Sequence, residues 1–99
     1  MDVKDMQPII LCGGSQGRAI IFGRVPADPV PGEPVTLYGA RMVIRWAAEC
    51  GGLLGLAAEG PKGDTRMTPG KVARLGDQAW QQWMTVGAEA AKAFDQWKR

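Results

Sequence analysis

Catalysis needs side chains that can move a proton, attack a carbon or hold a metal, and this chain is short of them. It contains no histidine, which removes the commonest general base and the commonest zinc ligand together. A catalyst would have to be assembled from carboxylates, lysines, Tyr38 or the two cysteines. The ten acidic residues are scattered singly apart from Asp2 and Asp5, so the spacing encodes no paired-carboxylate site. Neither Ser15 nor Cys50 stands in a nucleophile motif. Cys12 and Cys50 lack any histidine to complete a metal-ligand cluster and leave a single possible bridge; they read as reduced, buried thiols of a cytoplasmic protein. Gly55 to Lys62 imitates a phosphate loop, but Pro61 separates Gly60 from Lys62 and no Ser or Thr follows the lysine. The expectation is a protein that is not an enzyme, with no catalytic residue, metal or cofactor, acting by binding.

The residues suited to binding are arginines and tryptophans. Gly13-Gly14-Ser15-Gln16-Gly17 followed by Arg18 could expose backbone N–H groups beside a guanidinium and so cradle an anion, although a plain hairpin turn is the commoner use of such a stretch. Arg41 and Arg45 share strand parity with Val43 and could project from one face to grip phosphate or carboxylate; an exposed sheet face explains them equally well. Arg66, with Lys62, flanks the Gly63-Asp64 turn and offers a second basic rim. Trp46 follows Arg45 directly, and Trp80 and Trp83 fall on opposite faces of any regular strand, so one of the two must look away from a one-sided core. The candidate ligand-binding set is Arg18, Arg41, Arg45, Arg66, Trp46 and Trp80.

These residues need a scaffold. A chain of 99 residues hides about two-thirds of its unfolded surface, enough for one core, and reads as one domain over residues 1–99. Twelve Lys and Arg against ten Asp and Glu leave a formal charge of +2, too weak a field for nonspecific nucleic-acid binding. No stretch is long enough to span a membrane, and the run Ile9 to Cys12 is too short for the apolar core of a signal peptide. After a polar lead-in at 1–8, Ile9–Cys12 and Arg18–Arg24 predict a hairpin. Val25–Pro34, with Pro26, Pro29, Pro31 and Pro34, predicts a loop. Val35–Tyr38 and Arg41–Trp46 read as one strand with a bulge at Gly39, Leu53–Ala58 as a short helix, and Arg66–Thr68 and Lys71–Leu75 as strands. Gln78–Met84 predicts the last strand. A helix from Val86 or Gly87 to about Lys98 follows, N-capped by Thr85, with Ala90, Ala93, Phe94 and Trp97 as its apolar stripe and Lys98-Arg99 at its negative end. The fold class is α+β: a small strand-rich antiparallel sheet with one short central helix and one C-terminal helix.

Three segments carry a resemblance: Leu37-Tyr38-Gly39-Ala40-Arg41-Met42-Val43-Ile44-Arg45-Trp46, then Gly52-Leu53-Leu54-Gly55-Leu56-Ala57-Ala58-Glu59-Gly60-Pro61, then Arg66-Met67-Thr68-Pro69. The chain resembles, over roughly residues 18 to 97, a family of small proteins of uncharacterised function encoded by tailed phages and prophages. Trp80 to Trp83, rich in Gln, departs from the aliphatic strand of that pattern. The resemblance implies phage origin, with no established activity, and the expected location is the host cytoplasm. Small phage proteins without catalytic chemistry often act on the host by binding. The leading expectation is a homo-oligomer that counters host defence by sequestering an anionic small molecule, such as a nucleotide immune signal. The alternatives are an inhibitor or adaptor of a host defence protein or a phage protein, predicting an exposed apolar patch without a basic pocket, and a virion or assembly component.

Overall fold

β-branched and apolar runs separated by glycine and proline produce an antiparallel sheet. The computed structural model describes residues 2–13, 19–46, 48–76 and 80–98. Its strands are β1 (Gln7–Gly13), β2 (Ala19–Val25), β3 (Val35–Arg45), β4 (Arg66–Met67), β5 (Lys71–Leu75) and β6 (Trp80–Thr85), with helices α1 (Gly52–Glu59) and α2 (Ala88–Gln96). The sheet order is β4-β3-β2-β1-β6, and β5 pairs with the first half of β3. This is the expected α+β class. The expected turn at Gly14–Gly17, the first two residues of the last predicted strand (78–79) and Arg99 lie outside the described residues.

The boundaries differ in instructive ways. The lead-in is shorter than expected: Val3–Asp5 forms a 3₁₀ turn, and Gln7 and Pro8 already belong to β1. Pro8 lacks an N–H but still offers its carbonyl to the Val86 amide, 3.1 Å away. Thr85 stays in β6, and Gly87 takes the N-cap position of α2 without a side-chain cap. Its amide reaches the Ala57 carbonyl at 3.1 Å while its own carbonyl receives the Ala91 amide, so the junction is held by α1 and not by a threonine hydroxyl. Helix α1 includes Gly55 in its middle, which on propensity alone weakens a helix. Packing explains it: a Cβ at Gly55 would collide with the Cys50 carbonyl oxygen.

Each face of the sheet carries a buried cluster. On one face Ile10, Cys12, Ile20, Phe22 and Val43 meet Leu56 and Ala57 of α1 and Ala90, Ala91 and Phe94 of α2. The Phe22 and Phe94 rings stack at 4.4 Å. On the other, Ile9, Leu11, Val25, Val35, Leu37, Ala40 and Trp80 cluster, with Ile21, Ala73, Leu75 and Trp83 packed against them. Two bulges make this second cluster possible. The expected one at Gly39 (φ 62) lets Leu37 and Ala40, an odd number of positions apart, share a face. The other, on β6, sets Cys12 opposite Gln82 and Gly13 opposite Trp80. It overturns the strict alternation read from the sequence: Trp80 and Trp83 lie on the same side. Five residue steps from Leu75 to Trp80 reach at most about 18 Å, so the first half of β3 and β5 must fold back over this face to deliver the chain to β6.

Candidate functional site

The second face is only partly covered. Where the β3–β5 flap meets β2, Ile21, Ala40, Met42, Pro69, Ala73 and Leu75 line an almost wholly apolar cleft of about 390 Å³, with Thr68 and Lys71 at its margin. Antiparallel registers set its floor: Met42 stands opposite Ile21, Ile21 opposite Leu11, and Leu11 opposite Trp83, a continuous apolar row across four strands. Met42 is 43% exposed, and Ile44, two residues further along β3, is 65% exposed. Thr68 fixes the wall by accepting the Met42 amide on its hydroxyl at 2.9 Å and donating its own amide to the Met42 carbonyl at 3.0 Å.

Beyond Ile44 the surface becomes basic. A second irregularity in the β3–β4 register sets Arg45 directly opposite Arg66. Both are exposed, as is Trp46. Asp64 pairs with Arg45 at 2.8 Å, leaving one net positive charge among these three groups. Lys62 holds Glu59 at 3.1 Å and contributes little further field.

The remaining nominated residues go elsewhere. Arg41 is buried between the sheet and α2. Its Nε donates to the Thr68 carbonyl at 2.9 Å and its Nη1 to the Phe94 carbonyl at 2.5 Å, in the last turn of α2. A cation at a helix C-terminus opposes the negative end of the dipole, so this guanidinium does the work expected of Lys98 and Arg99. Burial pushes its pKa down while nearby Asp95 acts in the opposite sense. Trp80 is 5% exposed in the second core, its indole N–H without a partner among the described residues. Arg18 lies outside the described residues. The structure thus joins Arg45, Arg66 and Trp46 and separates them from Arg41 and Trp80.

Arg24 went unnoticed in the sequence. It is buried, bonded to Asp95 at 2.8 Å and placed over the Phe22 ring. It lines a crevice of about 320 Å³ with Lys4 and Lys92, but its guanidinium is already held by the Asp95 carboxylate. The signal was available, since Arg24 shares parity with Ile20 and Phe22 on β2 and so had to enter the helix-side core.

The two cysteines are both buried and unbridged. Burial raises the Cys12 thiol pKa. The Cys50 sulfur accepts the Lys62 amide at 3.2 Å and lies 3.2 Å from the Thr65 hydroxyl, in a knot closed by the Trp97 indole N–H donating to the Thr65 carbonyl at 2.7 Å. Among the described residues no group of His, Cys, Asp or Glu is placed to hold a metal ion, and no helix is long and apolar enough to cross a membrane. Compared with protein-family models, with curated proteins and with solved structures, the chain finds no match.

Proposed function

We propose that this protein is a phage-type accessory protein that acts by docking on another protein in the host cytoplasm. It takes an apolar side chain of the partner into the cleft between β2, β3 and β5 and a neighbouring acidic group onto Arg45 and Arg66. The observation that carries the reading is the open apolar cleft lined in part by the exposed Met42, with the exposed Ile44 two residues further along β3. Surfaces that keep apolar side chains in water beside a polar rim are commonly used for association. The basic pair at one end supplies orientation, since complementary charge at a rim steers encounter and fixes register more than it adds affinity. Selection of displayed short peptides on the purified protein tests this. The expected consensus is a bulky apolar residue followed closely by Asp or Glu, with binding lost in Met42→Asp and weakened in Arg45→Ala. A basic consensus, or peptides indifferent to both substitutions, would sink it.

A second reading keeps a small anion as ligand, and one feature favours it: two arginines face each other across β3 and β4 beside the exposed Trp46, with a single carboxylate to offset them. Guanidinium pairs of this kind hold phosphate groups, and an indole can stack on a base. Native mass spectrometry of protein isolated from cells with an active nucleotide-signalling defence tests it. A bound mass lost in Arg66→Ala supports sequestration, and no bound mass refutes it.

A further inference from the structure

The two edges of the sheet are built differently. The β4–β5 edge is short, broken at Pro69-Gly70, and carries Arg66, Lys71 and Arg74. These are the devices that keep a sheet edge from pairing with another chain. The β6 edge is less guarded: Trp80-Gln81-Gln82-Trp83-Met84-Thr85 contains no charge and no proline, and its one such device is the bulge at Gln81. Among the described residues no strand pairs with β6 on its outer side.

The direction of its main-chain groups follows from one bond. The Val86 amide donates to the Pro8 carbonyl, and Thr85 stands opposite Ile9. Hydrogen-bonded and non-hydrogen-bonded pairs alternate along an antiparallel ladder, so Met84 and Gln82 bond to β1 while Trp83 and Thr85 point their N–H and C=O groups outward. That pattern is self-complementary. With a two-fold axis at Met84, the outward groups of Trp83 meet those of Thr85 in a second copy, and those of Thr85 meet Trp83.

We propose that a second copy of this chain adds along β6, antiparallel, with Met84 opposite Met84, making one continuous sheet through the two protomers. The β6 bulge at Gln81 stops a register centred further toward Trp80, since it takes that end of the strand out of line. The axis runs perpendicular to the sheet, so the helices of both copies lie on one side and both apolar clefts open on the other. A dimer then presents two docking surfaces to one assembly, and simultaneous engagement multiplies affinity without new contacts. The pairing itself does not depend on what the clefts bind.

Sedimentation velocity across a concentration series is the test. The wild-type protein is expected to form a dimer, and Thr85→Pro to sediment as a monomer with an unchanged circular dichroism spectrum, because the N–H it removes points away from β1. If that variant does not fold, Thr85→Lys keeps the N–H and places a charge on the edge instead; it too is expected to be monomeric. A second measurement fixes the register. A non-hydrogen-bonded pair has its Cα atoms about 4.5 Å apart, within disulfide reach, so Met84→Cys is expected to cross-link into a dimer under mild oxidation while Met42→Cys does not. A protein monomeric at every concentration, a dimer left intact by both Thr85 variants, or equal cross-linking at positions 42 and 84 would overturn the proposal. Peptide binding at the cleft can be repeated on the Thr85 variants, so its outcome stands apart from this one.

Discussion

Replacing Arg41 by alanine separates a structural guanidinium from a ligand-binding one. The residue is 8% exposed and its two bonded carbonyls belong to Thr68, beside β4, and Phe94, in the last turn of α2. Hydrogen bonds to a charged group contribute roughly 1.5–3 kcal/mol each, and a buried acceptor left bare costs more than a bond between neutral partners. Phe94 keeps a second, longer donor in the Trp97 amide at 3.4 Å, which softens its loss. Desolvation of the guanidinium in the native state already offsets part of the gain. The net loss in Arg41→Ala is therefore about 3 kcal/mol, and at roughly 4–8 °C per kcal/mol for a domain of this size the melting temperature falls by about 15 °C. Arg41→Lys, with one compact donor group in place of a fork, recovers about half. Thermal melts followed by circular dichroism measure this, with amide exchange locating the loosened segment in the last turn of α2. Arg45→Ala and Arg66→Ala, at exposed positions, leave the melt near that of wild type. An Arg41→Ala protein melting within about 3 °C of wild type would refute the clamp.

Three further outcomes follow from the same contacts. Gly55→Ala, whose Cβ would collide with the Cys50 carbonyl oxygen, must break the start of α1; urea denaturation is expected to show a loss of at least about 2 kcal/mol, where a solvent-facing helix site would gain stability from the same change. Trp97→Phe removes the indole donor to Thr65, and the denaturation midpoint is expected to drop by an amount equivalent to about 1 kcal/mol. Burial raises the Cys12 pKa, so the folded state holds its proton more tightly than the unfolded chain. Its contribution is complete below the free thiol's ordinary pKa of about 9.0 and is lost as pH rises through the folded value. Denaturant titrations at rising alkaline pH should show an extra loss in wild type that is absent in Cys12→Ala.

The elements were legible because their local signals agree. Apolar runs bounded by glycine gave β1 and β2, the proline cluster gave the loop after Val25, and the Ala, Phe and Trp spacing gave α2. Gly39 marked its bulge because a positive φ is available to few other residues. What stayed hidden was parity after an irregularity. Nothing in Trp80-Gln81-Gln82-Trp83 announces that β1 takes Gln82 and Trp80 in consecutive positions, yet that one slip moves Trp80 into the second core. The site was legible in part for the same reason. Arg45, Arg66 and Trp46 converge because β4 returns beside the end of β3, a long-range pairing that single-strand alternation cannot foresee. Arg41 carried its own warning: it alternates with Val43, an apolar residue, and the shared face was the buried one.

The two arginine clamps also explain why the apolar cleft can remain open. Arg24 and Arg41 grip α2 at Asp95 and Phe94 from adjacent strands, and the Phe22–Phe94 stack sits among their attachment points. The helix-side core is thus closed by packing and by charge-assisted bonds together. The opposite face can then be left half covered, because the fold does not depend on burying Met42 and Ile44. A chain this small has little apolar surface to spare, and one that keeps two large aliphatic side chains in water beside a cleft, while fixing the other face so firmly, divides its sheet between holding the fold and meeting a partner. Substitutions on the two faces should divide in the same way. Changes at Phe22, Arg41 or Phe94 should appear first as lost stability, and changes at Met42 or Ile44 as lost association with the melt preserved. An Ile44→Asp variant that unfolds as readily as Phe94→Ala would mean that the exposed face also belongs to the core.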